Sequence, residues 1–418
     1  MLKLLIIADD FTGALDTGVQ FSDQGIETLV TTDKDIDFHS LAPDLEVLVI
    51  DSESRYLSFE ASYTLISSII QKAKNHGVAY IYKKVDSALR GNISSELKAL
   101  ADQFPNEKIA FVPAFPAINR TVKNGELLID GRPVAESVFA SDPYEPVTES
   151  NIAKRLQEEA SLGSALCSKE SSSFGAAAEQ ILLFDSEIDD DLRAISQHLA
   201  QQRLLKLSVG CAGFAKYLPA LLFPQQRKQR YTIDFPLLVI SGSVNPITRR
   251  QIDYAEKQQA ARFSLQAAQL TAEDFWDSRQ GQDLLGRYLV TIKEHDLAVF
   301  ETLNAAALPD FSDKDEKEKT QPAFRFQIGR SLGKIAKYFL EKKLERTLFF
   351  IGGDTLFQSM QVLGLDEIQP LSELYPGVVL SRIVWQGQKI QLITKSGGFG
   401  QPDLLEKLNQ SIIDKEEM

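Results

Sequence analysis

Short apolar runs that each stop at a cluster of Asp, Ser, Lys, Arg or Gly constrain this chain more than any other feature. Leu4 to Ala8, Leu45 to Ile50, Tyr80 to Lys84 and Lys108 to Pro113 read as buried strands. Between them, Ala61 to Asn75 and Ser94 to Phe104 carry leucine and isoleucine at helical spacing. Strand–helix–strand alternation predicts βαβ units and a mostly parallel sheet, with ligands beyond the carboxyl ends of the strands. The polar residues that follow each run are therefore the candidates for chemistry.

The pattern restarts late in the chain. Pro236 to Ile240, Thr347 to Ile351 and Lys389 to Thr394 read as strands, and Thr248 to Gln258 and Ala323 to Lys343 as helices. At 418 residues the chain exceeds one ordinary core. The expectation is an α/β protein of two domains, each a mostly parallel sheet flanked by helices, with the active site in the interdomain cleft. Phe223 to Tyr231, containing Pro224 and the basic, glutamine-rich QQRKQR, is the candidate linker. The domains are then residues 1–228 and 229–418. Ser161 to Ala178, rich in Ser, Ala and Gly, reads as a loop or a weakly ordered connection, and the charge run Asp310 to Lys319 as a solvated loop. No internal repeat occurs at a fixed period.

Several function classes are disfavoured. A formal net charge of −13 argues against nucleic acid or anionic membrane as the main partner, though not against a locally basic site. The apolar start of MLKLLIIADD is shorter than the roughly 7–15 residues of a signal-peptide core, and no segment approaches the ~20 apolar residues of a membrane span. Two cysteines, Cys167 and Cys211, build no disulfide framework, and four scattered histidines offer no HExxH spacing. A cytoplasmic protein is expected. A homodimer is expected only from the general frequency of closed symmetric pairs.

In the first half, the first strand runs into Asp9-Asp10-Phe11-Thr12-Gly13, where Asp10 or Thr12 suits a helix N-cap. Two adjacent carboxylates exceed what a cap requires. They suit a hydroxyl, its proton, or a magnesium ion. The next ends read Asp51-Ser52-Glu53-Ser54-Arg55 and Lys84-Val85-Asp86-Ser87-Ala88-Leu89-Arg90. Arginine offers a fork that matches a carboxylate, and lysine adds a second positive charge. The bland alternative is surface charge around turns. Three strand ends rich in Asp, Arg and Lys favour one site for a polyhydroxy acid. Pro113-Ala114-Phe115-Pro116 and Asn119-Arg120-Thr121 read as a loop able to close over it.

In the second half, Ser241-Gly242-Ser243, Gly352-Gly353-Asp354-Thr355 and Lys395-Ser396-Gly397-Gly398 each follow a strand. Glycines there let backbone N–H groups approach phosphate oxygens, and a helix N-terminus favours their charge. One such turn would mean little; three point to a nucleotide. No GxxxxGK[ST] loop, GxGxxG fingerprint or protein-kinase motif set is present.

These residues resemble the four-carbon acid sugar kinase family. The matching stretches are IADDFTGALDTG, DSESR, KKVDSALRGN, NRTVKNGELLIDGRPVAESVFASDPYEPV, SGSVNPIT, GGDT and KSGGFG, in order along nearly the whole chain. The resemblance implies a substrate-binding N-terminal domain, a nucleotide-binding C-terminal domain, and phosphorylation of the terminal hydroxyl of a four-carbon sugar acid by ATP with Mg2+. It assigns Asp10, Arg55, Lys84, Asp86, Ser87 and Arg90 to the substrate. It assigns Ser243, Gly352, Gly353, Asp354, Thr355 and Gly397, with Lys395 beside them, to the nucleotide. Asp10 or Asp86 would deprotonate the hydroxyl, and Asp354 would reach magnesium indirectly. KKVDSALRGN is similar to the D-threonate and D-erythronate kinases rather than the 3-oxo-tetronate branch, with Ala88 where threonine is usual. D-threonate is the expected substrate. A hydroxy-acid dehydrogenase is disfavoured by the missing dinucleotide fingerprint. A non-catalytic sensor is disfavoured by the acidic residues, which an anion-binding module would not need.

Overall fold

The computed structural model describes residues 2–142, 145–168, 174, 177–223, 231–303 and 314–416. The chain divides into two compact units, Met1–Gln229 and Arg230–Met418. No helix among the described residues is long and apolar enough to cross a membrane.

The first unit contains strands β1 (Leu4–Ala8), β2 (Thr28–Thr31), β3 (Val47–Asp51), β4 (Tyr80–Lys84), β5 (Ile109–Val112), β6 (Arg120–Lys123), β7 (Glu126–Ile129), β8 (Arg132–Pro133), β9 (Ser164–Cys167), β10 (Ile181–Phe184) and β11 (Leu207–Gly210). Its helices are α1 (Phe11–Ser22), α2 (Phe59–His76), α3 (Ile93–Gln103), α4 (Ile152–Ala160), α5 (Asp189–Gln201), α6 (Ala212–Ala215) and α7 (Leu218–Leu222). The parallel sheet runs β2-β3-β1-β4-β11-β5-β10-β9. Every residue of β1, β3 and β5 is buried, as expected of strands covered on both faces. Helix α2 shows how the sequence selects its element. Ser58 caps its N-terminus, Gly77 ends it in the left-handed conformation, and Ile66, Ile69, Ile70 and Ala73 form its buried stripe.

Strands β3 and β4 flank β1, and Ala8 lies level with both Asp51 and Lys84. The polar residues after these three strands therefore emerge side by side.

The second unit contains β12 (Leu237–Ser241), α8 (Pro246–Lys257), β13 (Ala261–Ser264), α9 (Ala267–Thr271), α10 (Arg279–Lys293), β14 (Ala298–Glu301), α11 (Lys314–Glu341), β15 (Thr347–Ile351), α12 (Gly353–Leu363), β16 (Glu367–Tyr375), β17 (Val378–Trp385), β18 (Gln388–Lys395) and α13 (Leu404–Glu416). Its sheet runs β13-β14-β12-β15-β18-β17-β16, parallel as far as β18 and then antiparallel through β17 and β16. Its core gathers Leu237, Val239, Ile252, Val299, Phe349, Ile351, Leu380, Ile393 and Leu405. Ser241 lies level with Glu301 and Ile351, and Ile351 with Lys395, so four strand ends are aligned.

Three loop expectations need correction. The stretch Ser161 to Ala178 includes the edge strand β9; its residues 169–173, 175 and 176 lie outside the described residues. The charge run from Asp310 is helical from Lys314, which suits its Glu and Lys content without Gly or Pro; residues 310–313 lie outside the described residues. Arg120 and Thr121 belong to a three-stranded antiparallel sheet, β6-β7-β8, rather than a loop. Two turns build it. Asn124-Gly125 and Asp130-Gly131 both have positive φ at each residue, as two-residue hairpins require. The candidate linker falls largely on residues 224–230, outside the described residues.

Candidate active site

In the first unit the chain turns from β1 into α1 at Asp9-Asp10. Asp10 caps the helix, its Oδ1 accepting from the Gly13 N–H at 3.1 Å. The cap and the charge cluster are the same residue. Arg55 Nη2 stands 2.9 Å from Asp10 Oδ1 and 2.7 Å from Asp9 Oδ2, while its Nε donates to Asp9 Oδ2 at 2.8 Å. Lys84 Nζ lies 3.3 Å from Asp9 Oδ1 and 3.9 Å from Asp10 Oδ1. Arg55 Nη2 also reaches to 3.7 Å from Asp86 Oδ1. The three strand ends are thus tied by charge into one constellation.

Asp86 has its own partner. Arg90 Nε and Nη2 donate to its two oxygens, each at 2.9 Å, and Arg90 Nη1 extends to Asp142 at 3.2 Å. The Asp86 carboxylate also accepts from the Ala88 N–H at 3.1 Å, folding the turn onto itself. Ser87 is half-buried in that turn and makes no hydrogen bond to the cluster among the described residues.

Successive strand residues face opposite sides of a sheet. Lys84 turns to the aspartates, whereas Lys83 turns to Glu96 of α3, Nζ to Oε2 at 2.9 Å with both side chains buried. That contact is a charge pair rather than an aligned hydrogen bond. Ser54 donates to the other Glu96 oxygen, and Ser52 and Ser54 share a hydrogen bond of 2.8 Å.

Burial alone would raise the Asp9 carboxyl, but the charges of Arg55, Lys84 and Lys83 outweigh it and hold the pKa at about 2. Burial likewise opposes ionisation of Asp86, and Arg90 and then Arg55 bring its pKa well below the usual carboxylate range. Lys84 is raised, because Asp9 and Asp10 overcome the burial that would discharge it. Asp51, wholly buried, is raised by burial and by the charge of Glu53, and its Oδ2 has no hydrogen-bond partner.

Lys83 and Glu96 are absent from the site residues expected from sequence, and Asp9, marked there with Asp10 as a carboxylate pair, is absent from those the family resemblance assigns. Asp9 is the hub of the cluster and 1 % exposed, while the Asp10 side chain keeps 24 % exposure. Their adjacency in sequence gives no sign of which of the two is buried.

The second unit shows a different chemistry. Its three glycine turns sit on the neighbouring strands β12, β15 and β18. A Cβ on Gly397 would lie 2.2 Å from Ser243 Oγ, and one on Gly242 would lie 2.4 Å from Thr355 Oγ1. Gly352 adopts φ +112°, where L side chains are rare, and no side chain caps α12 behind it. Gly352 N–H donates to Lys395 C=O at 2.9 Å, and Thr248 Oγ1 donates to Gly397 C=O at 2.9 Å. Ser243, Gly352, Gly353, Thr355 and Gly397 are therefore in one place, with Asp354 in the first turn of α12. The uncapped helix start and close backbone approach suit phosphate oxygens.

Lys395 does something other than reach outward. Its ammonium donates to the carbonyls of Ser396 at 3.0 Å, Gly397 at 3.4 Å and Phe399 at 3.1 Å. Burial lowers its pKa to about 7. It holds the turn rather than presenting a free cation. Glu301, fully buried at the end of β14, was not singled out in the sequence; it binds Arg262 Nε at 3.0 Å and also Ser264 and the Leu303 N–H.

Comparison with known proteins accounts for both halves. Residues 4–218 match the family model of a sugar-binding N-terminal domain, and residues 238–405 that of a nucleotide-binding C-terminal domain. The chain is 29% identical to a D-threonate kinase of Salmonella typhimurium, over 97% of each chain. It is 23% identical to a D-erythronate kinase of Heliobacterium modesticaldum, over 96% of this chain and 95% of that one. It is 26% identical to a 3-oxo-tetronate kinase of Pectobacterium atrosepticum, over 96% of this chain and 97% of that one. A crystal structure of a Haemophilus influenzae protein shares the fold, with a TM-score of 0.73 at 22% identity, covering 98% of this chain and all of that one.

Proposed function

The chain belongs to the four-carbon acid sugar kinase family, and on that premise we propose that it transfers the γ-phosphate of ATP to the terminal hydroxyl of D-threonate. The observation that carries this reading is the alignment of Asp10, Arg55, Lys84 and Asp86 at three adjacent strand ends of the unit that matches the sugar-binding model. The higher identity to a D-threonate kinase, 29% against 23% and 26%, favours D-threonate over D-erythronate and 3-oxo-tetronate.

Phosphoryl transfer depends on positioning and on neutralised phosphate charge more than on covalent chemistry by the protein. The acceptor hydroxyl needs a base within hydrogen-bond reach. Asp10 suits that role better than its neighbours. Asp9 is buried between two cations, and Asp86 is held by both arms of Arg90, whereas Asp10 keeps an exposed edge. In this reading Arg55 and Lys84 fix the carboxylates that bind the substrate hydroxyls, and Arg90 fixes Asp86. Ser87 lines the turn between them.

The triphosphate is assigned to Ser243, Gly352, Gly353, Thr355 and Gly397, with Lys395 holding the last turn in shape. No group of three or more metal-ligating side chains gathers among the described residues. Mg2+ commonly keeps several waters and binds through substrate phosphates with one or two carboxylates. Asp354, in the first turn of α12, would hold the ion indirectly, and the ion would neutralise charge on the phosphates. Two buried cysteines and a need for ATP suit the cytoplasm.

The test is product identity. Incubation with Mg-ATP and D-threonate should yield ADP and a monophosphate ester at the terminal carbon, read by phosphorus NMR and mass spectrometry. A product phosphorylated elsewhere, or ADP without any ester, would refute the assignment.

A further inference from the structure

The cations expected to clamp the substrate carboxylate are already engaged. Both arms of Arg90 that form its fork lie on Asp86, and its third nitrogen lies on Asp142. Arg55 is spent on Asp9 and Asp10, and Lys84 on the same pair. Lys83 faces Glu96. Lys83, Lys84, Arg55 and Arg90 thus confront Asp9, Asp10, Asp86, Asp142 and Glu96, which leaves that cluster no spare positive charge. An anionic substrate entering it would meet a balanced or negative field.

One further arginine stands beside the cluster. Arg120 lies at the start of β6, and its guanidinium makes no hydrogen bond or ion pair with any described residue. Its Nε is fully buried without a partner. Its Cζ lies 4.9 Å from the centre of the Phe139 ring, which Arg90 shares at 5.3 Å. Burial works against its charge, while the charges of Asp130 and Asp86 support it. Buried donors are ordinarily paired, and an unpaired, partly buried cation costs stability unless a ligand satisfies it.

Its position is fixed by the backbone. Phe115 N–H donates to Arg120 C=O at 2.7 Å, and Arg120 N–H donates back to Phe115 C=O at 3.1 Å. Phe115 in turn lies flush against Gly213 of α6, where a Cβ would come within 2.7 Å of its ring. The hairpin that carries Arg120 is thereby anchored to the end of β11, the strand beside β4.

We propose that Arg120 is the receptor for the carboxylate of the sugar acid, with Arg90 and Arg55 acting as positioning residues for the aspartates that read its hydroxyls. This rests on the function proposed above and names the group that makes the substrate class an acid. A guanidinium fork matches a carboxylate with two parallel hydrogen bonds. Arg120 would then also set the preference for the acid over the neutral polyol of the same length.

Arg120→Gln and Arg120→Lys test it, with D-threonate and threitol as acceptors. For Arg120→Gln the KM for D-threonate should rise about 10- to 100-fold, the range of a lost charge-assisted pair, with the KM for ATP unchanged. The preference of the wild type for D-threonate over threitol should collapse, and Arg120→Lys should restore part of it. The Tm of Arg120→Gln should equal or exceed that of the wild type, because an unpaired cation has been removed. A KM within about threefold of the wild type, with the acid preference kept, overturns the assignment. If the wild type phosphorylates no four-carbon acid, the proposed function falls instead, and calorimetric titration with D-threonate then decides this point. Binding by the wild type and none by Arg120→Gln upholds it; equal binding, or none by either, overturns it.

Discussion

Arg90 grips Asp86 through two parallel hydrogen bonds, Nε to Oδ2 and Nη2 to Oδ1, each 2.9 Å long. The pair closes the turn after β4 and fixes the orientation of a carboxylate that would otherwise rotate. A lysine at this position could supply one contact but not the fork. Arg90→Lys should therefore lower kcat/KM for the sugar acid by about 10- to 100-fold while leaving the KM for ATP unchanged. Steady-state kinetics with each substrate varied in turn check this.

Asp10→Asn keeps the oxygen that caps α1 and the size of the side chain but removes the base. If Asp10 takes the proton of the acceptor hydroxyl, kcat should fall by roughly 10²–10⁴ with KM changed little. Asp86→Asn should instead raise KM, because it loosens the turn rather than the proton transfer. Near-normal turnover by Asp10→Asn would assign the base elsewhere.

The Asp9 carboxyl, held at about 2 by Arg55, Lys84 and Lys83 against its burial, ties stability to pH. A carboxyl whose folded pKa lies below its unfolded value stabilises the fold above the unfolded value and loses that contribution as pH falls through the folded one. The contribution is on the order of 2 kcal/mol. Thermal melts should show wild-type Tm falling between about pH 4 and pH 2. The deficit of Asp9→Asn relative to wild type should be largest above pH 4 and shrink below it.

Lys395 holds the Ser396–Phe399 turn through three carbonyls, and burial lowers its pKa to about 7. Above that pH it has one donor fewer for the turn. The KM for ATP should rise between pH 6 and pH 8 in the wild type and stay flat in Arg-substituted Lys395→Arg, whose charge does not titrate. A flat profile in both proteins would separate Lys395 from nucleotide binding.

Much of this fold is written in the local pattern of the chain. The runs Leu4–Ala8 and Thr347–Ile351 are strands with those limits because each is short and largely apolar, and Tyr80–Lys84 is a strand whose two lysines are buried against carboxylates. What the pattern hides is pairing. Strand β9, SALC, lacks the β-branched content that marks a strand and forms at the sheet edge against β10. The β6-β7-β8 sheet did leave a signal, Asn-Gly and Asp-Gly turns between apolar runs, which is masked when the neighbouring prolines suggest a loop.

The candidate site divides the same way. Residue type pointed to the ends of β1, β3 and β4, but only the folded geometry separates buried Asp9 from half-exposed Asp10. Lys83 and Lys84 look alike in sequence, yet the strand sends one to Glu96 and the other to the aspartates. Which cation lacks a partner is a property of the whole arrangement, so Arg120 stood out only once its neighbours were placed.

The most direct measurement is coupled ADP release with Mg-ATP across D-threonate, D-erythronate, L-threonate and 3-oxo-tetronate. The kcat/KM should be highest for D-threonate, and Asp10→Asn should abolish most of that turnover. Highest activity on another of the four would keep the kinase and correct the substrate. No ADP release above the ATP-only background with any of them would contradict the central claim.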